Sequence, residues 1–193
     1  MQRKFALVGI FLLIGTALFA LDTYAIDPVH TSVQFSVKHM VISNVHGIFR
    51  DVSGTINYDP KDPTKGSVEV RIKAASINTG SDNRDNHLRS PDFLDVEKFP
   101  ELTFKSTQIE KSGDGYVARG PLTIHGVSKD VAIPFIIGGT IKDAKGNTRL
   151  GAEASITINR KDFGLIWNRA VEGGMLVGDD VKIDLGVEGS SKP

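Results

Sequence analysis

Apolar and polar residues alternate along most of this chain, which is the pattern of β-strands that bury one face. In the first such segment, Val33, Phe35 and Val37 fall on one face and two serines, a glutamine and a lysine on the other. Eight segments share the pattern, and turn-forming residues separate most of them. They cover residues 32–39, 51–58, 68–74, 102–107, 116–124, 131–137, 150–158 and 181–188.

Two features between the segments carry specific expectations. The pattern predicts that Met40–Gly47 is a connection rather than a strand. Pro134 interrupts the sixth segment, and because proline cannot donate to a strand ladder, it predicts a sheet edge or a bulge. Such an edge would permit a homodimer.

The stretch Ser81–Asp95 breaks the alternation and is rich in charge. Helical spacing predicts one short helix here, and Ser90-Pro91 predicts the start of a second, with Ser90 as its N-cap. We expect the two helices to cover an apolar space through three side chains and to place four charged ones at its rim. The first set is Leu88, Phe93 and Leu94, and the second is Arg84, Asp85, His87 and Arg89.

Eight amphipathic strands must direct their apolar faces into one layer or lumen. A closed antiparallel barrel and a two-sheet sandwich both satisfy this requirement. Several inward positions hold small residues, which in an eight-stranded barrel could leave room for one slender ligand or could simply accommodate neighbouring phenylalanines. These positions are Gly54, Ala74, Ala118, Gly120, Ala152 and Ala154.

The N-terminus has the pattern of a secretory signal peptide. Arg3 and Lys4 precede an apolar run from Phe5 to Leu21, and Ala25 ends a predicted cleavage site. We therefore expect a leader at residues 1–25, a mature chain at 26–193, and a periplasmic location. An uncleaved membrane anchor is the alternative.

Charge and cysteine content narrow the function classes. The whole chain has 23 basic and 23 acidic residues and no cysteine. A near-neutral chain gives no reason to expect nucleic acid as a partner. The absence of cysteine excludes disulfides, thiolate metal sites and cysteine nucleophiles.

No spacing typical of a catalytic or metal site is present in the sequence. The five histidines lack a zinc-type partner spacing, and there is no Gly-x-Ser-x-Gly or phosphate-binding loop. We therefore expect no enzyme activity, no metal and no cofactor. Arg84, Arg89, Lys129 and Arg160 fall in connections, where they could meet a polar head group or form surface ion pairs.

Four longer motifs resemble the YceI-like family, and the likeness extends from Ile26 to Glu188. They are Ala75-Ser76-Ile77-Asn78-Thr79 followed by Arg84-Asp85-x-His87-Leu88-Arg89-Ser90-x-Asp92-Phe93-Leu94; Gly120-x-Leu122-Thr123-Ile124-x-Gly126-Val127-Ser128-Lys129; Asn159-Arg160-Lys161-Asp162-Phe163-Gly164-Leu165; and Leu176-Val177-Gly178-Asp179-Asp180-Val181. The resemblance implies an all-β fold, an eight-stranded antiparallel lipocalin-like barrel whose lumen is covered by short helical segments. It also implies a tunnel for a long apolar chain.

The function implied by the resemblance is binding and transport or storage of a polyisoprenoid, such as a polyprenyl phosphate or an isoprenoid quinone. Alternatives are a fatty acid or fatty amide carrier, a lipid isomerase or hydrolase, and an adaptor subunit for a membrane redox protein. The expected ligand-binding residues are Phe35, Val37, Ile72, Arg84, His87, Leu88, Phe93, Phe104, Ala152, Ile156, Arg160, Phe163 and Trp167. Among them, Arg84, His87 and Arg160 are expected to orient the head group.

Overall fold

The computed structural model describes residues 21–191, which fold mainly into β-strands. The strands are β1 Asp22–Ile26, β2 Ser32–His39, β3 Ser43–Phe49, β4 Val52–Tyr58, β5 Ser67–Lys73, β6 Ile77–Asn78, β7 Glu101–Lys105, β8 Gln108–Ser112, β9 Gly115–Ile124, β10 Val127–Lys142, β11 Thr148–Asn159, β12 Ala170–Val171, β13 Gly174–Met175 and β14 Val177–Ser191. The helix is α1 Asp82–Arg89, and 3₁₀ turns lie at Pro63–Lys65, Ala74–Ser76 and Arg160–Phe163.

The strands close into an antiparallel barrel whose wall is eight strands around. At four of these eight places, two short strands that are consecutive in the chain stand end to end, namely β1 with β2, β3 with β4, β5 with β6, and β7 with β8. The long strands β9, β10, β11 and β14 form the rest. Closure occurs because β14 pairs with β11 on one side and with β2 and β1 on the other. Because the strands form a closed ring, the fold is a barrel and the alternative of a two-sheet sandwich is excluded.

Two of the predicted connections differ in the structure. Strand β3 begins at Ser43, so the prediction that all of Met40–Gly47 is a connection is wrong, and only Met40–Ile42 form the turn. Strand β10 begins at Val127, where a turn was expected up to Asp130. Both segments have polar or glycine residues at inward positions, which weakens the alternation on which the prediction depends.

The second predicted helix does not form. Helix α1 is present as expected, but Ser90 is its C-cap rather than the N-cap of a new helix, and residues 91–94 are turns. The Ser90 hydroxyl donates to the His87 carbonyl at 2.7 Å and accepts from the Asp92 amide at 3.3 Å. One serine therefore ends the helix and starts the turn.

Pro134 lies within β10 at a local edge, where only one of the two neighbouring strands is paired. Strand β10 pairs with β9 from Val127 to Phe135 and with β11 from Phe135 to Lys142, with a register shift between Ile137 and Gly139. Pro134 therefore stands just before the first pair with β11, where its missing N–H costs no ladder bond. The homodimer at this edge stays a prediction.

The small inward residues have two different roles. A Cβ on Gly54 would collide with the Glu69 carbonyl oxygen, and one on Gly120 with that of Lys105. These two glycines permit close strand contact and do not widen the lumen. Ala118, Ala152 and Ala154 do face an internal cavity.

Strand β1 includes most of the residues around the predicted cleavage site. Tyr24 is 2% exposed and lies opposite Ile56 of β4, so it belongs to the barrel. The first twenty residues of the predicted leader lie outside the described part of the chain. Between residues 21 and 191, no helix has the length and apolar character needed to cross a membrane.

Candidate functional site

An apolar upper chamber of about 200 Å³ lies inside the barrel beneath α1. The strands supply aliphatic and aromatic side chains at alternate positions, as the pleat requires. Only three of its lining residues, Gln34, Thr103 and Arg160, have polar side chains. Such a cavity suits an apolar ligand without charge along its length.

A deep chamber of about 120 Å³ continues the lumen toward the other end of the barrel. Four residues line both chambers and form a waist between them: Val70, Phe104, Ile133 and Leu185. The two chambers together lie near the lower limit of the roughly 300–1,000 Å³ typical of small-molecule pockets. The two chambers share lining residues along one lumen, an arrangement that a chain-like ligand can occupy.

Nine of the thirteen predicted binding residues line these chambers. The upper chamber contains Phe35, Val37, Ile72, Leu88, Phe93, Phe104, Ile156 and Arg160, and Ala152 lies in the deep chamber. The Phe35 ring reaches the lumen across Gly47, where a Cβ would collide with the ring. The sequence therefore located the lumen through its strand periodicity.

Four predicted residues lie outside the chamber linings. Arg84 bonds a loop, Phe163 is buried in the adjacent core at 2% exposure, and His87 and Trp167 contact each other above the lumen. Their proposed contacts with a ligand stay predictions. Residues that were not singled out, including Leu122, Val177, Val181 and Ile183, do line the upper chamber. The apolar faces of the fifth and eighth predicted strands already contained three of them, whereas Val177 lies within an irregular stretch, residues 160–178, that has no periodicity.

Charged side chains clamp α1 to the segment before it. Asp85 is 2% exposed and accepts from the Thr79 amide at 2.9 Å and from its hydroxyl at 2.5 Å. Arg84 Nε donates to the Thr79 hydroxyl at 2.8 Å, and Arg89 donates to the carbonyls of Ala75 and Ile77 at 2.9 and 2.7 Å. Asp85, expected at the rim, is thus a buried structural acceptor.

This clamp turns the apolar side of the lid, defined here as residues 82–95, toward the lumen. Leu88, Phe93 and Leu94 all line the upper chamber, as predicted. Phe93 also contacts Trp167, with ring centroids 5.1 Å apart. His87 packs edge-on against both rings at 5.0 and 4.8 Å, and its Nε2 lies 2.9 Å from Asp92 Oδ2. An aromatic cluster therefore joins the lid to the segment 164–178.

Arg160 is a buried cation at the lid end of the lumen, 3% exposed. Its guanidinium donates to the carbonyls of Gly178 at 2.8 Å, of Trp167 at 2.9 Å and of Leu165, and to Asp179 Oδ1 at 3.2 Å. Burial lowers the pKa of Arg160 from its ordinary value, and the nearby Asp179 carboxylate partly opposes this. Its charge is thus satisfied by the protein, and it anchors the segment 164–178.

A second arginine holds the opposite side of the barrel. Arg149 Nη1 lies 2.6 Å from Asp27 Oδ2 and 3.1 Å from Glu188 Oε1, and Nε lies 3.2 Å from Asp143 Oδ2. Asp27, Glu188 and His30 are close enough together to suggest a cation site. The guanidinium already supplies a positive charge there, so an ion-pair network explains the cluster.

Comparison with known proteins places this geometry in a family. The model of the YceI-like domain matches residues 24–189. The chain belongs to the YceI-like family. A protein of Serratia proteamaculans named UPF0312 protein is 38% identical over 183 residues, covering 94% of this chain and 92% of its own length.

Two solved structures are similar to this barrel. BcnA of Burkholderia cenocepacia has a TM-score of 0.75 at 23% identity, covering 84% of this chain and 98% of its own. A polyisoprenoid-binding domain from Saccharophagus degradans, implicated in plant cell wall breakdown, has a TM-score of 0.66 at 16% identity, covering 89% of this chain and 99% of its own. Both likenesses establish the lipocalin-like fold.

Proposed function

We propose that this protein binds one long-chain apolar lipid in the two chambers, and that the ligand is a polyisoprenoid such as a polyprenyl phosphate or an isoprenoid quinone. The observation that carries the proposal is the apolar lumen, whose one lining cation, Arg160, already has four protein acceptors. The Saccharophagus degradans domain, a structural neighbour, is described as polyisoprenoid-binding, which supports the ligand class.

The tail supplies the affinity in this proposal. Each buried CH₂ contributes about 0.8 kcal/mol, so about ten buried carbons give on the order of 8 kcal/mol, roughly micromolar binding before association costs. Affinity should rise with chain length until the tail passes the waist and fills the deep chamber. The head group would then lie at the lid end.

The residues that line the lumen are better suited to carrying a lipid than to catalysing a reaction on it. A lipid isomerase or hydrolase needs an acid and a base beside the buried chain. Within residues 21–191, no histidine or carboxylate lines the upper chamber, because His39 is not a lining residue, Asp85 is bound to Thr79, and Asp92 contacts His87 above the lumen. No histidine lines the deep chamber either, and its one lining carboxylate, Glu153, belongs to a residue exposed to solvent. We therefore propose a binding protein without enzyme activity.

The first test is mass spectrometry of an organic extract from the exported protein, purified without detergent. One stoichiometric polyprenyl lipid or quinone is the expected result, and a fatty acid or fatty amide would replace the proposed ligand class. An empty protein that also fails to take up added prenyl lipids would contradict the proposal and favour the adaptor role.

A blocked lumen provides a second test. Ala152 lines the deep chamber, so Ala152→Trp should fill it and lower affinity for long tails to that for tails short enough to stay above the waist. Ala132 lies on the same sheet but is exposed, so Ala132→Trp is the matched control and should bind all tails normally. Equal chain-length profiles for the two variants would place the ligand outside the deep chamber.

Export to the periplasm is also part of the proposal. Cleavage after Ala25 would remove four of the five residues of β1, including the buried Tyr24, so the intact mass of the exported protein measures whether that strand is kept. A mass beginning at Ile26 supports the predicted cleavage site. A mass beginning further upstream keeps export but moves the site, and a retained Met1 contradicts the cleaved leader.

A further inference from the structure

The turn between β2 and β3 is apolar where turn chemistry favours polar residues and glycine. Its central residues, Met40 and Val41, have φ values of 49° and 66°, and the Ile42 amide donates to the His39 carbonyl at 3.3 Å. Positive φ at both central positions is characteristic of a type I′ turn, which strongly favours Asn-Gly. A β-branched residue at positive φ is an outlier that costs folding stability.

Another turn of this barrel shows the ordinary solution. His125 and Gly126 join β9 to β10 with φ values of 51° and 72°, and glycine occupies the second position. Glycine adopts this conformation at no steric cost. The Met40–Val41 sequence is therefore not required by the turn geometry.

These apolar side chains are exposed and form one surface with a neighbouring hairpin. Met40, Val41 and Ile42 are 42%, 59% and 85% exposed, and Met175 of β13 is 46% exposed. The Met40 amide donates to the Leu176 carbonyl at 2.9 Å, which brings the turn against the end of that hairpin. We call Met40, Val41, Ile42 and Met175 the apolar tip. Contiguous exposed apolar groups mark interaction sites.

The apolar tip is continuous with the lumen. Val41 and Met175 line a surface pocket of about 270 Å³, and Val177 lines both that pocket and the upper chamber. Val177 lies opposite His39, at the end of β2, directly before the turn. Apolar side chains therefore run from inside the barrel to its outer surface at the lid end.

Cations accompany the tip. Lys38 also lines the surface pocket, and Arg169 immediately precedes β12. Neither has an ion pair in the described chain, whereas Asp179 in the same pocket is paired with Lys161 at 2.7 Å. Two exposed acidic residues also lie at this end, Glu172 between β12 and β13 and Asp180 beside Asp179 in β14. Anionic lipid head groups would attract Lys38 and Arg169.

We propose that the apolar tip inserts into the interface of a lipid bilayer and that the ligand exchanges with the membrane at this end of the barrel. Four side chains are too few for a stable protein interface, which buries about 800 Å² per partner and usually contains aromatic anchors. A shallow membrane contact needs only a small apolar surface together with basic residues. The exchange step rests on the proposed lipid-binding function.

The first experiment measures partition of the exported protein, without its leader, onto vesicles of phosphatidylethanolamine and phosphatidylglycerol at 3:1. Met40→Asn with Val41→Gly restores the preferred turn sequence, so this double variant should melt at the same or a higher temperature yet partition at least fivefold less. Ile42→Asp should have a similar effect on partition. Ile141→Asp is the matched control, because Ile141 is 72% exposed at the opposite end of the barrel and should leave partition unchanged.

A positional readout separates the tip from any other membrane-binding part of the chain. The protein has no cysteine, so Ile42→Cys and Ile141→Cys can each be labelled with a polarity-sensitive fluorophore. Vesicles should shift the emission to the blue at position 42 and leave position 141 unchanged. Equal shifts, or none, would overturn the proposal, as would normal partition of the folded double variant.

Ligand delivery separates this proposal from the proposed function. The double variant should take up a prenyl lipid normally from a cyclodextrin complex but at least fivefold more slowly from vesicles. Normal uptake from both sources would overturn the role of the tip and keep the carrier function. A wild-type protein that takes up no lipid from either source would contradict the carrier function, and the exchange step with it.

Discussion

The two ends of the barrel are both held by an arginine, but the two guanidinium groups have different environments. At the lid end, Arg160 is 3% exposed and bonds mainly to backbone carbonyls, so it organises the segment 164–178 above an apolar space. At the far end, the Arg149 side chain is 26% exposed and bonds to three carboxylates. A buried donor that satisfies backbone groups is costly to remove, whereas a half-buried ion pair that keeps contact with water contributes less.

The different environments of the two arginines indicate that the far end of the barrel mainly maintains the fold, whereas the lid end also controls access to the upper chamber. The far end closes the barrel with titratable surface charge and strand pairing. The lid end instead brings together a helix clamp, an aromatic cluster and the apolar tip around the opening side of the upper chamber. Changes at the lid end should therefore alter both stability and ligand exchange, whereas changes to the Arg149 network and to β1 at the far end should alter stability alone.

The largest expected effect comes from removing the buried arginine. Arg160→Met leaves the carbonyls of Gly178, Leu165 and Trp167 without their donors, which should lower the free energy of unfolding by about 4 kcal/mol, as expected for a broken buried charge network. Urea denaturation measures this loss. Arg149→Met is the control and should cost much less, because its partners remain solvated. Equal losses would mean that the two ends are held in the same way.

The second-largest effect on stability is expected for strand β1, at the far end of the barrel. Tyr24 is 2% exposed, and its ring lies 6.4 Å from that of Tyr58. In protein that keeps β1, Tyr24→Ala should lower the free energy of unfolding by about 3 kcal/mol through lost burial and a cavity. Ligand affinity measured on the folded fraction should not change. A large loss of affinity would show that the far end also shapes the ligand site.

The aromatic cluster of the lid should give a smaller effect. His87→Gln removes the edge contacts with Phe93 and Trp167, which should cost about 1 kcal/mol in thermal unfolding. If the lid covers the ligand, this variant should also release bound lipid faster, as measured by exchange into excess cyclodextrin. Unchanged release would mean that the ligand leaves by another route.

The smallest effect is the response to acid. The bonds from His30 and Arg149 hold the pKa of Asp27 well below its usual range, and bonds from Asn147, backbone amides and Arg149 lower the pKa of Asp143 to about 2. Because both pKa values are depressed on folding, their stabilisation is complete above about pH 4 and is lost as the pH falls toward 2. The melting temperature should decline modestly across this window.

Arg149→Met is the control for the acid response, because it removes a partner of both carboxylates. Its melting temperature should fall less between pH 4 and 2 than that of the wild type. The same decline in both proteins would assign the acid response to other carboxylates. Asp179 at the lid end, whose pKa is lowered by Lys161 and Arg160, would then be one of the carboxylates to test.

The comparison also shows which features could be predicted. Period-two alternation located the wall strands and six of the nine predicted binding residues that line the chambers, because a pleated strand fixes which side chains face inward. It missed the start of β3 and the role of Val177, where the pattern is interrupted. The helical spacing of residues 83–88 located α1, but local sequence could not show that Ser90 would end this helix.

The amino-acid sequence by itself determined the all-β barrel strands, the short covering helix and the family, because these depend on local periodicity and on long motifs. Only the tertiary structure decided that Arg160 is a saturated buried anchor, that Asp85 is an internal acceptor, and that the lumen has a waist. It also brought the Met40–Ile42 turn against β13. The burial of a side chain, its hydrogen-bond partners and the cavities around it depend on which distant segments of the chain come into contact. Closure of the barrel through β14 determines those contacts.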